Sequence, residues 1–369
     1  MLRVIDRTSF FGAYAARLFA EQGHEVVRVE PPEGDELRHL PPFLRDKQDL
    51  EHGAYHQFLN AGKKSITLDV GSETGKRSFH DLLGHADVLL ANTPLDEASY
   101  QAANPKLVVT KIVDESAELC EVARSGLMSL TGHPDRPPVT LGGHVPHLAV
   151  GIYVAVATAA ALLTRKKSGR GLVATVSVRD SLASFVEQAM VEYSFSGTVT
   201  RRRGSRGAIT AVSGAMPCKD GHWVISQIHR PGRWSNFVDW VQDAELSSDP
   251  TLAEEENQHK RRDFIMERLD NWASRFTKAE LVEQAQRLHF PASPVSTPLD
   301  LVSDPQLIAR GFLGEMDHPE FGKLFFPHGA IASVLGTRLG PAPRLGEHNE
   351  EILTGLLHAN DNTRSEILD

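Results

Sequence analysis

Asp180 stands where an apolar run gives way to a helical pattern, so its carboxylate could do chemistry there. In the segment SGRGLVATVSVRDSLASF, residues 168–185, the β-branched side chains of Val173, Val176 and Val178 predict a buried strand. The residues DSLASF then predict the first turn of a helix. An aspartate at such a junction either caps the helix by accepting a backbone N–H bond or acts as a nucleophile that forms an acyl intermediate. The segment alone leaves both interpretations open.

Other reactive patterns are scarce along the chain. It has no G-x-S-x-G turn, no G-x-x-x-x-G-K-S/T phosphate loop and no H-E-x-x-H motif. His144 and His147 in GGHVPHL are three residues apart, but Pro146 between them argues against a regular helical metal pair. We therefore expect loop histidines and no metal centre. The arginines at 201–203 could contact phosphates, although their surroundings favour a solvated linker.

The elements that would position Asp180 begin with regular alternation in the first third of the chain. LRVID, EVVRVE, SITLDV, DVLLAN and KLVVTKIV predict strands, whereas FFGAYAARLFAEQG and SETGKRSFHDLLGHA predict helices, the second with Ser72 as its N-cap. This alternation is typical of a parallel sheet covered by helices. Ligands of such sheets bind at the carboxyl ends of the strands.

A dinucleotide-binding site is the first ligand site to test against this pattern. Its first turn should carry G-x-G-x-x-G, but DRTSFFGAYAA has Gly12 as its only glycine. Glu30 ends the second strand where a ribose-binding acid could stand, yet one acid is weak evidence. We expect no NAD(P) binding.

Length and composition limit the remaining classes of protein function. With 369 residues the chain is long enough for two domains, and its formal charge of −9 argues against a general nucleic-acid binder. Two cysteines predict neither a disulfide framework nor a zinc cluster. The apolar run at 148–163 is slightly short for a bilayer and rich in small residues, which favours a packed interior helix. We expect a cytoplasmic protein with no membrane or nucleic-acid partner.

The pattern changes near residue 200. SGTVTRRRGSRGAI predicts a linker or loop, and a mixed α/β region follows from KDGHWVISQI onward. Within that region GRWSNFVDWVQ predicts a helix and TKAE at 277–280 predicts the capping box of another. The tail PAPRLGEHNEEILTGLL predicts one last helix.

Taken in order, these segments resemble the class III CoA-transferases. GAYAARLFAEQGHEVVRVEPPEGDELR is similar to the family's opening strand–helix–strand and its E-P-P-x-G-D-x-x-R segment. FLNAGKKSITLDV, HADVLLAN, SGLMSLTGHPDRPP, DGHWVISQ, DPQLIARGF and APRLGEHNEEIL match later landmarks in sequence order. The family's nucleophilic aspartate follows the second glycine of a G-x-G segment by nine residues, as Asp180 follows Gly171.

The resemblance implies that Asp180 attacks an acyl-CoA thioester and carries acyl and CoA groups in turn to a small carboxylic acid. It also implies coenzyme A contacts at Arg38, Lys63, Lys64, Leu68 and Asn92, and it places Glu118 among the residues lining the active site. Departures from the family pattern fall near the expected coenzyme A pocket. Leu172 replaces a glutamine, Ala13 replaces a proline, and DESAE replaces a glycine-rich turn.

Two alternatives remain within the same resemblance. α-Methylacyl-CoA racemases share the scaffold, but at the positions of their catalytic histidine and aspartate this chain has Ala117 and His147, and alanine carries no proton. A weakly active subunit of a heteromeric CoA-transferase is the other alternative. The implied fold is α/β: a Rossmann-like large domain of residues 1–195 and 330–369, a linker at 196–212, and a small α/β domain at 213–329, assembled as an interlocked dimer.

Overall fold

A six-stranded parallel sheet organises the larger of two compact units. Four of its strands are mostly buried, as expected when helices cover both faces of a parallel sheet. The predicted strands and their parallel arrangement are confirmed. The bounds are β1 (Arg3–Arg7), β2 (Glu25–Glu30), β3 (Lys64–Thr67), β4 (Val88–Asn92), β5 (Val108–Val113) and β6 (Val173–Ser177).

The computed structural model describes residues 1–205, 212–226, 228, 232–329, 331 and 338–355. The large unit comprises residues 1–127, 141–195 and 304–369, and the small unit comprises residues 128–140 and 196–303. In the large unit the strand order is β3-β2-β1-β4-β5-β6, so the direction of winding reverses between β1 and β4. Such a reversal opens a crevice at the carboxyl edge of the sheet, where ligands of this fold class bind.

Within residues 1–196, which the structure describes throughout, eight α-helices accompany these strands. Ser72 accepts a hydrogen bond from the Gly75 backbone N–H (3.0 Å), which confirms the predicted N-cap. The helices are α1 (Phe10–Glu21), α2 (Ala54–Asn60), α3 (Glu73–Gly84), α4 (Glu97–Ala103), α5 (Glu118–Arg124), α6 (Val145–Ser168), α7 (Val178–Ala183) and α8 (Glu187–Ser196).

The 24-residue α6 is the apolar helix that the sequence predicted as interior. Its length and composition would allow it to cross a membrane, but it packs against α1 and β5, and the Thr158 hydroxyl hydrogen-bonds to that of Thr110 in β5 (2.8 Å). Within this chain only one face is buried. The exposed large side chains of α6 are Val145, Ile152, Tyr153, Val156 and Leu163.

Two glycines connect α6 to β6. Gly169 ends the helix with a φ angle of +73°, a backbone conformation that is unfavourable for residues with a Cβ atom. Gly171 has a different constraint, because a Cβ there would lie 2.0 Å from the carbonyl oxygen of Leu107. Its N–H also donates to the Pro105 carbonyl (2.8 Å). The close backbone approach fixes where β6 joins the sheet, and therefore where Asp180 follows it.

Within its described residues, the small unit contains a three-stranded antiparallel sheet and six α-helices. Trp223, Trp240 and Trp272 form the aromatic centre of its core, with Trp240 and Trp272 ring centroids 4.9 Å apart. The predicted capping box at Thr277 and Glu280 is present. The elements are β7 (Gly214–Cys218), β8 (Gly221–Ile225), β9 (Ala292–Pro294), α9 (Arg233–Val241), α10 (Ala244–Ser248), α11 (Glu255–Lys260), α12 (Arg262–Ala273), α13 (Lys278–Arg287) and α14 (Pro298–Val302).

Residues 197–205 form no helix or strand, and residues 206–211 of the predicted linker lie outside the described part of the chain. Arg202 donates to the carbonyls of Ser129, His133 and Arg136, which attaches this segment to residues 128–140 of the small unit.

The chain returns to the large unit with α15 (Pro305–Ala309), β10 (Leu313–His318) and β11 (Gly322–Pro327). Arg17 of α1 donates to the Pro327 carbonyl (2.7 Å), and Asn349 bonds to the Thr67 backbone N–H (2.8 Å). The boundary between the two compact units lies near residue 304, whereas the boundary predicted from the sequence lies near residue 330. They also assign residues 128–140 to the small unit.

We predict that Gly171→Ala lowers the free energy of unfolding by about 1–3 kcal/mol, because the added methyl group collides with a backbone carbonyl that cannot rotate away. Chemical denaturation followed by circular dichroism measures this. Gly84→Ala is the matched control, since no atom lies within 4 Å of a Cβ at the end of α3. Its stability should stay unchanged or rise by up to about 1 kcal/mol. Equal stability of the Gly171→Ala and parent proteins would contradict the prediction.

Candidate active site

Asp180 is the third residue of α7, three positions after the end of β6. Ser177 is the N-cap: its hydroxyl oxygen accepts the Asp180 backbone N–H (3.1 Å). The helix cap that the sequence left open for Asp180 is thus supplied by serine. The Asp180 side chain is exposed, and among the described residues its carboxylate has no hydrogen bond or ion pair. The backbone of Asp180 is thus fixed by the helix cap, while its side chain stays exposed to solvent.

Glu121 of α5 anchors the helix that carries Asp180. Its buried carboxylate accepts hydrogen bonds from Ser116 (2.5 Å) and from Arg179 (3.2 Å), and it pairs with Arg124 (3.3 Å). Burial raises the pKa of Glu121, but these hydrogen bonds and cations outweigh burial and keep that pKa below its usual value. Because Arg179 adjoins Asp180, this ion pair ties the position of the acid to α5.

Asn92 ends β4 at the winding reversal between β1 and β4. Its side-chain oxygen accepts the Ser9 backbone N–H (2.7 Å), and its amide donates to the Ser9 hydroxyl (3.0 Å) and to Glu115. The structure therefore places this predicted ligand-binding residue at the sheet edge expected for a ligand.

Glu115 also lies at this edge, although it was not among the site residues predicted from the sequence. It lies just after β5, within the DESAE segment, and contacts both Asn92 and the Ser9 hydroxyl. Burial raises its pKa, with Glu36 adding to the effect. Its position directly after a strand of the parallel sheet was the available signal.

Asn92 and Asp180 lie on the same edge of the sheet. Asn92 pairs in register with Ile112 of β5, and the neighbouring Val113 pairs with Ser177 of β6. Two strand spacings of about 4.8 Å each separate β4 from β6, which places Asn92 on the order of 10 Å from the end of β6, where α7 and Asp180 follow.

Arg38 lies in a short 3₁₀ turn after β2, fully buried. Its guanidinium forms ion pairs with Glu30 (2.6 Å) and Glu51 (2.7 Å) and donates to the Pro343 carbonyl (3.2 Å). Burial lowers the pKa of Arg38, but the two carboxylates outweigh it and raise that pKa. The predicted coenzyme A contact of Arg38 stays a prediction, and the structure shows this guanidinium paired with carboxylates of the fold.

Lys63 is likewise buried. Its ammonium group donates to Asp6 (2.8 Å), Asn60 (2.9 Å) and the Ala13 carbonyl (3.1 Å), which uses all three of its protons. Burial lowers the pKa of Lys63 to about 8, although Asp6 opposes that effect. Asp6 also forms an ion pair with Arg28 (2.9 Å), so two cations share one buried carboxylate.

Lys64 and Leu68 lie at opposite ends of β3. Lys64 opens the strand, at the amino edge of the sheet, and pairs with Glu25 (2.8 Å) and Glu351 (2.5 Å). Leu68 follows the strand at the carboxyl edge, but its side chain is buried in the apolar core. The structure brings Leu68 to the edge that carries Asn92 and Asp180, and it separates Lys64 from that edge.

Glu118 begins α5 and lies against both histidines of the GGHVPHL segment. Its Oε2 atom is 2.8 Å from Nδ1 of His144 and 3.1 Å from Nδ1 of His147. The expectation of loop histidines is wrong for His147, which lies in the first turn of α6, while His144 is the N-cap. Pro146 does not interrupt the helix, because proline is tolerated in a first turn that needs no N–H donor.

The site therefore combines an exposed, unpartnered carboxylate after β6 with polar side chains at the winding reversal. A family model described as CoA-transferase family III matches residues 2–349. The chain is 28% identical to the succinyl-CoA:mesaconate CoA-transferase of Haloarcula hispanica, covering 95% of this chain and 94% of that protein. It is 27% identical to the formyl-CoA:oxalate CoA-transferase of Streptomyces coelicolor, covering 98% and 95%.

A solved structure shares the fold. The CaiB/BaiF family protein from Brucella suis superposes with a TM-score of 0.83 at 23% identity, covering 96% of this chain and 98% of that one. The family model covers nearly the whole chain, and the named relatives align with it over most of their length. This protein is an enzyme of CoA-transferase family III.

Proposed function

We propose that this enzyme transfers CoA from an acyl-CoA to a small carboxylic acid through covalent intermediates on Asp180. One observation carries the proposal: Ser177 caps the helix, and the Asp180 carboxylate stays exposed without a partner among the described residues. A carboxylate that forms no hydrogen bond or ion pair keeps all of its oxygen lone pairs for attack on a thioester carbon. The resemblance of the G-x-G segment to the family motif points to the same residue.

The proposed chemistry exchanges one thioester for another. An Asp180 oxygen attacks the donor thioester carbon, and the carbon–sulfur bond breaks. CoA leaves as thiolate, and a mixed acyl-aspartyl anhydride remains on the enzyme. The thiolate then attacks the aspartyl carbonyl, which releases the donor carboxylate and forms an aspartyl-CoA thioester. The acceptor carboxylate reverses both steps and leaves as its CoA ester. No ATP is required, and thiolate held nearby attacks as an effectively intramolecular group.

The placement of coenzyme A is supported best at Asn92. That residue lies at the winding reversal, and its amide and the Ser9 hydroxyl are hydrogen-bonding groups at the carboxyl edge. Arg38 and Lys63 form buried ion pairs within the fold. Their direct contacts with coenzyme A, and those of Lys64 and Leu68, rest on the resemblance. We include Glu118 as a residue that lines the active site on the same ground.

We expect Asp180→Asn to lower the transfer rate by a factor on the order of 10³ or more, because the amide oxygen cannot form the anhydride. Succinyl-CoA, named for the Haloarcula relative, is the first donor to test with a panel of carboxylic acids. Hydroxylamine trapping and peptide mass spectrometry should locate the acyl adduct on Asp180. Asp81→Asn, the same change at an exposed helix position of α3, is the control.

Full turnover by Asp180→Asn would contradict the mechanism. Exchange of an α-proton without exchange of the acid would instead indicate the racemase chemistry that shares this scaffold.

We also propose that the Glu121–Arg179 pair positions Asp180. Glu121→Gln should lower kcat about 10-fold with little change in the KM for acyl-CoA, because α7 loses its charged anchor while the thioester site is kept. Arg124→Gln is the matched control, since Arg124 contacts the same carboxylate but lies on α5 itself. An equal loss in both variants, or none in Glu121→Gln, would contradict this positioning role.

We propose further that the enzyme is an interlocked homodimer. The support is the apolar surface that this chain leaves exposed on α6 and α8, where α8 has no buried residue. Sedimentation equilibrium should give a mass of twice 40.5 kDa. A single-chain mass over the whole concentration range would contradict the homodimer and favour the heteromer with a homologous subunit. A cytoplasmic location without nucleic-acid or membrane partners remains part of the proposal.

A further inference from the structure

Glu118, His144 and His147 converge in the large unit. One carboxylate oxygen and one nitrogen from each ring lie within 4.8 Å of one another. The three side chains come from two elements: Glu118 opens α5, while His144 and His147 flank Pro146 at the start of α6. The proposed CoA transfer assigns no chemistry to the two histidines.

The charge of this cluster suits a cation. Glu118 supplies a carboxylate oxygen, and each imidazole ring can supply one nitrogen lone pair. The His147 side chain is 8% exposed, and its Nδ1 is buried without a hydrogen-bond partner among the described residues. Nδ1 lies 3.1 Å from the Glu118 oxygen, but the contact is not aligned as a hydrogen bond.

Aromatic side chains hold the two imidazoles in place. The His147 ring stacks on Phe10 and Phe11, with centroid distances of 3.9 and 4.1 Å. Tyr55 and Phe10 each pack 5.1 Å from the His144 ring. A set of ligating atoms whose rings are already oriented loses little entropy when an ion binds.

We propose that Glu118, His144 and His147 bind one divalent transition-metal ion of the zinc class. Two imidazole nitrogens and one carboxylate oxygen are donors that Zn²⁺ accepts, whereas Ca²⁺ and Mg²⁺ favour oxygen-only sites. Ligand atoms on a tetrahedral zinc ion are about 3.3 Å apart, given bonds near 2.0 Å. The present separations of 2.8 and 3.1 Å need to open by only a few tenths of an ångström.

Three protein ligands leave the fourth coordination position to water or to an anionic oxygen. The proposal does not depend on the chemistry at Asp180, because binding of the ion is measured directly. It departs from the expectation, drawn from Pro146, that this segment holds no metal.

The test uses the full chain without an affinity tag, stripped of metal by a chelator and titrated calorimetrically with Zn²⁺. We expect one ion per chain with a Kd of about 1 µM or tighter. Co²⁺ added in place of Zn²⁺ should give visible d–d absorption. Since loss of a supporting group around a metal already costs 10- to 100-fold, Glu118→Gln and His147→Gln should weaken binding at least about 10-fold.

His144→Gln serves as a second variant, since His144 is 38% exposed and its loss leaves the core intact. His259→Gln is the matched control, because His259 and Glu255 form an exposed histidine–carboxylate pair elsewhere in the chain (3.7 Å). Circular dichroism confirms that each variant is folded. The absence of saturable binding by the parent chain would overturn the proposal. So would unchanged affinity in both Glu118→Gln and His144→Gln, or loss of binding in His259→Gln.

Discussion

The buried carboxylate of Asp6 is the group on which the large unit depends. Asp6 lies in β1 and is fully buried. Its carboxylate forms ion pairs with Arg28 of β2 and with Lys63, the residue before β3. Burial raises the pKa of Asp6, but these two cations outweigh burial and lower it, so the acid stays charged. Removing one member of such a pair costs about 3–5 kcal/mol, because it leaves an unpaired charge in the interior. Three adjacent strands are therefore joined by charge as well as by backbone hydrogen bonds.

This interior network also explains why basic residues near a ligand-binding edge need not face the ligand. Arg38 has its guanidinium committed to Glu30 and Glu51, and Lys63 has three acceptors within the fold. Local sequence shows a basic residue before or after a strand, but it does not show which acceptors that residue contacts in the folded chain. Glu51 is close to Arg38 in space because of how the loops fold, and no spacing rule predicts that contact. Motif resemblance transfers residue types more securely than it transfers their contacts.

Local rules predicted much of the architecture. Apolar β-branched runs predicted the parallel strands, and the caps at Ser72 and Thr277 followed from side chains that bond only to the next turn. What local rules missed depends on geometry between distant segments. Pro146 was interpreted as a break, although the first turn of a helix accepts proline, and Glu118 meets the two histidines only when α5 lies beside α6. The one-sided burial of α6 was missed for a related reason: an apolar sequence does not say whether its second face meets the same chain or another.

Ser177, and not Asp180, caps the helix, and this has a consequence for how such enzymes diverge. Serine stabilises the helix start, and the acid three residues later contributes no hydrogen bond or ion pair from its carboxylate within the described residues. A chain that has lost the acid would consequently keep its fold. By the mechanism proposed above, such a chain would be inactive, yet selection for solubility or abundance would not remove it.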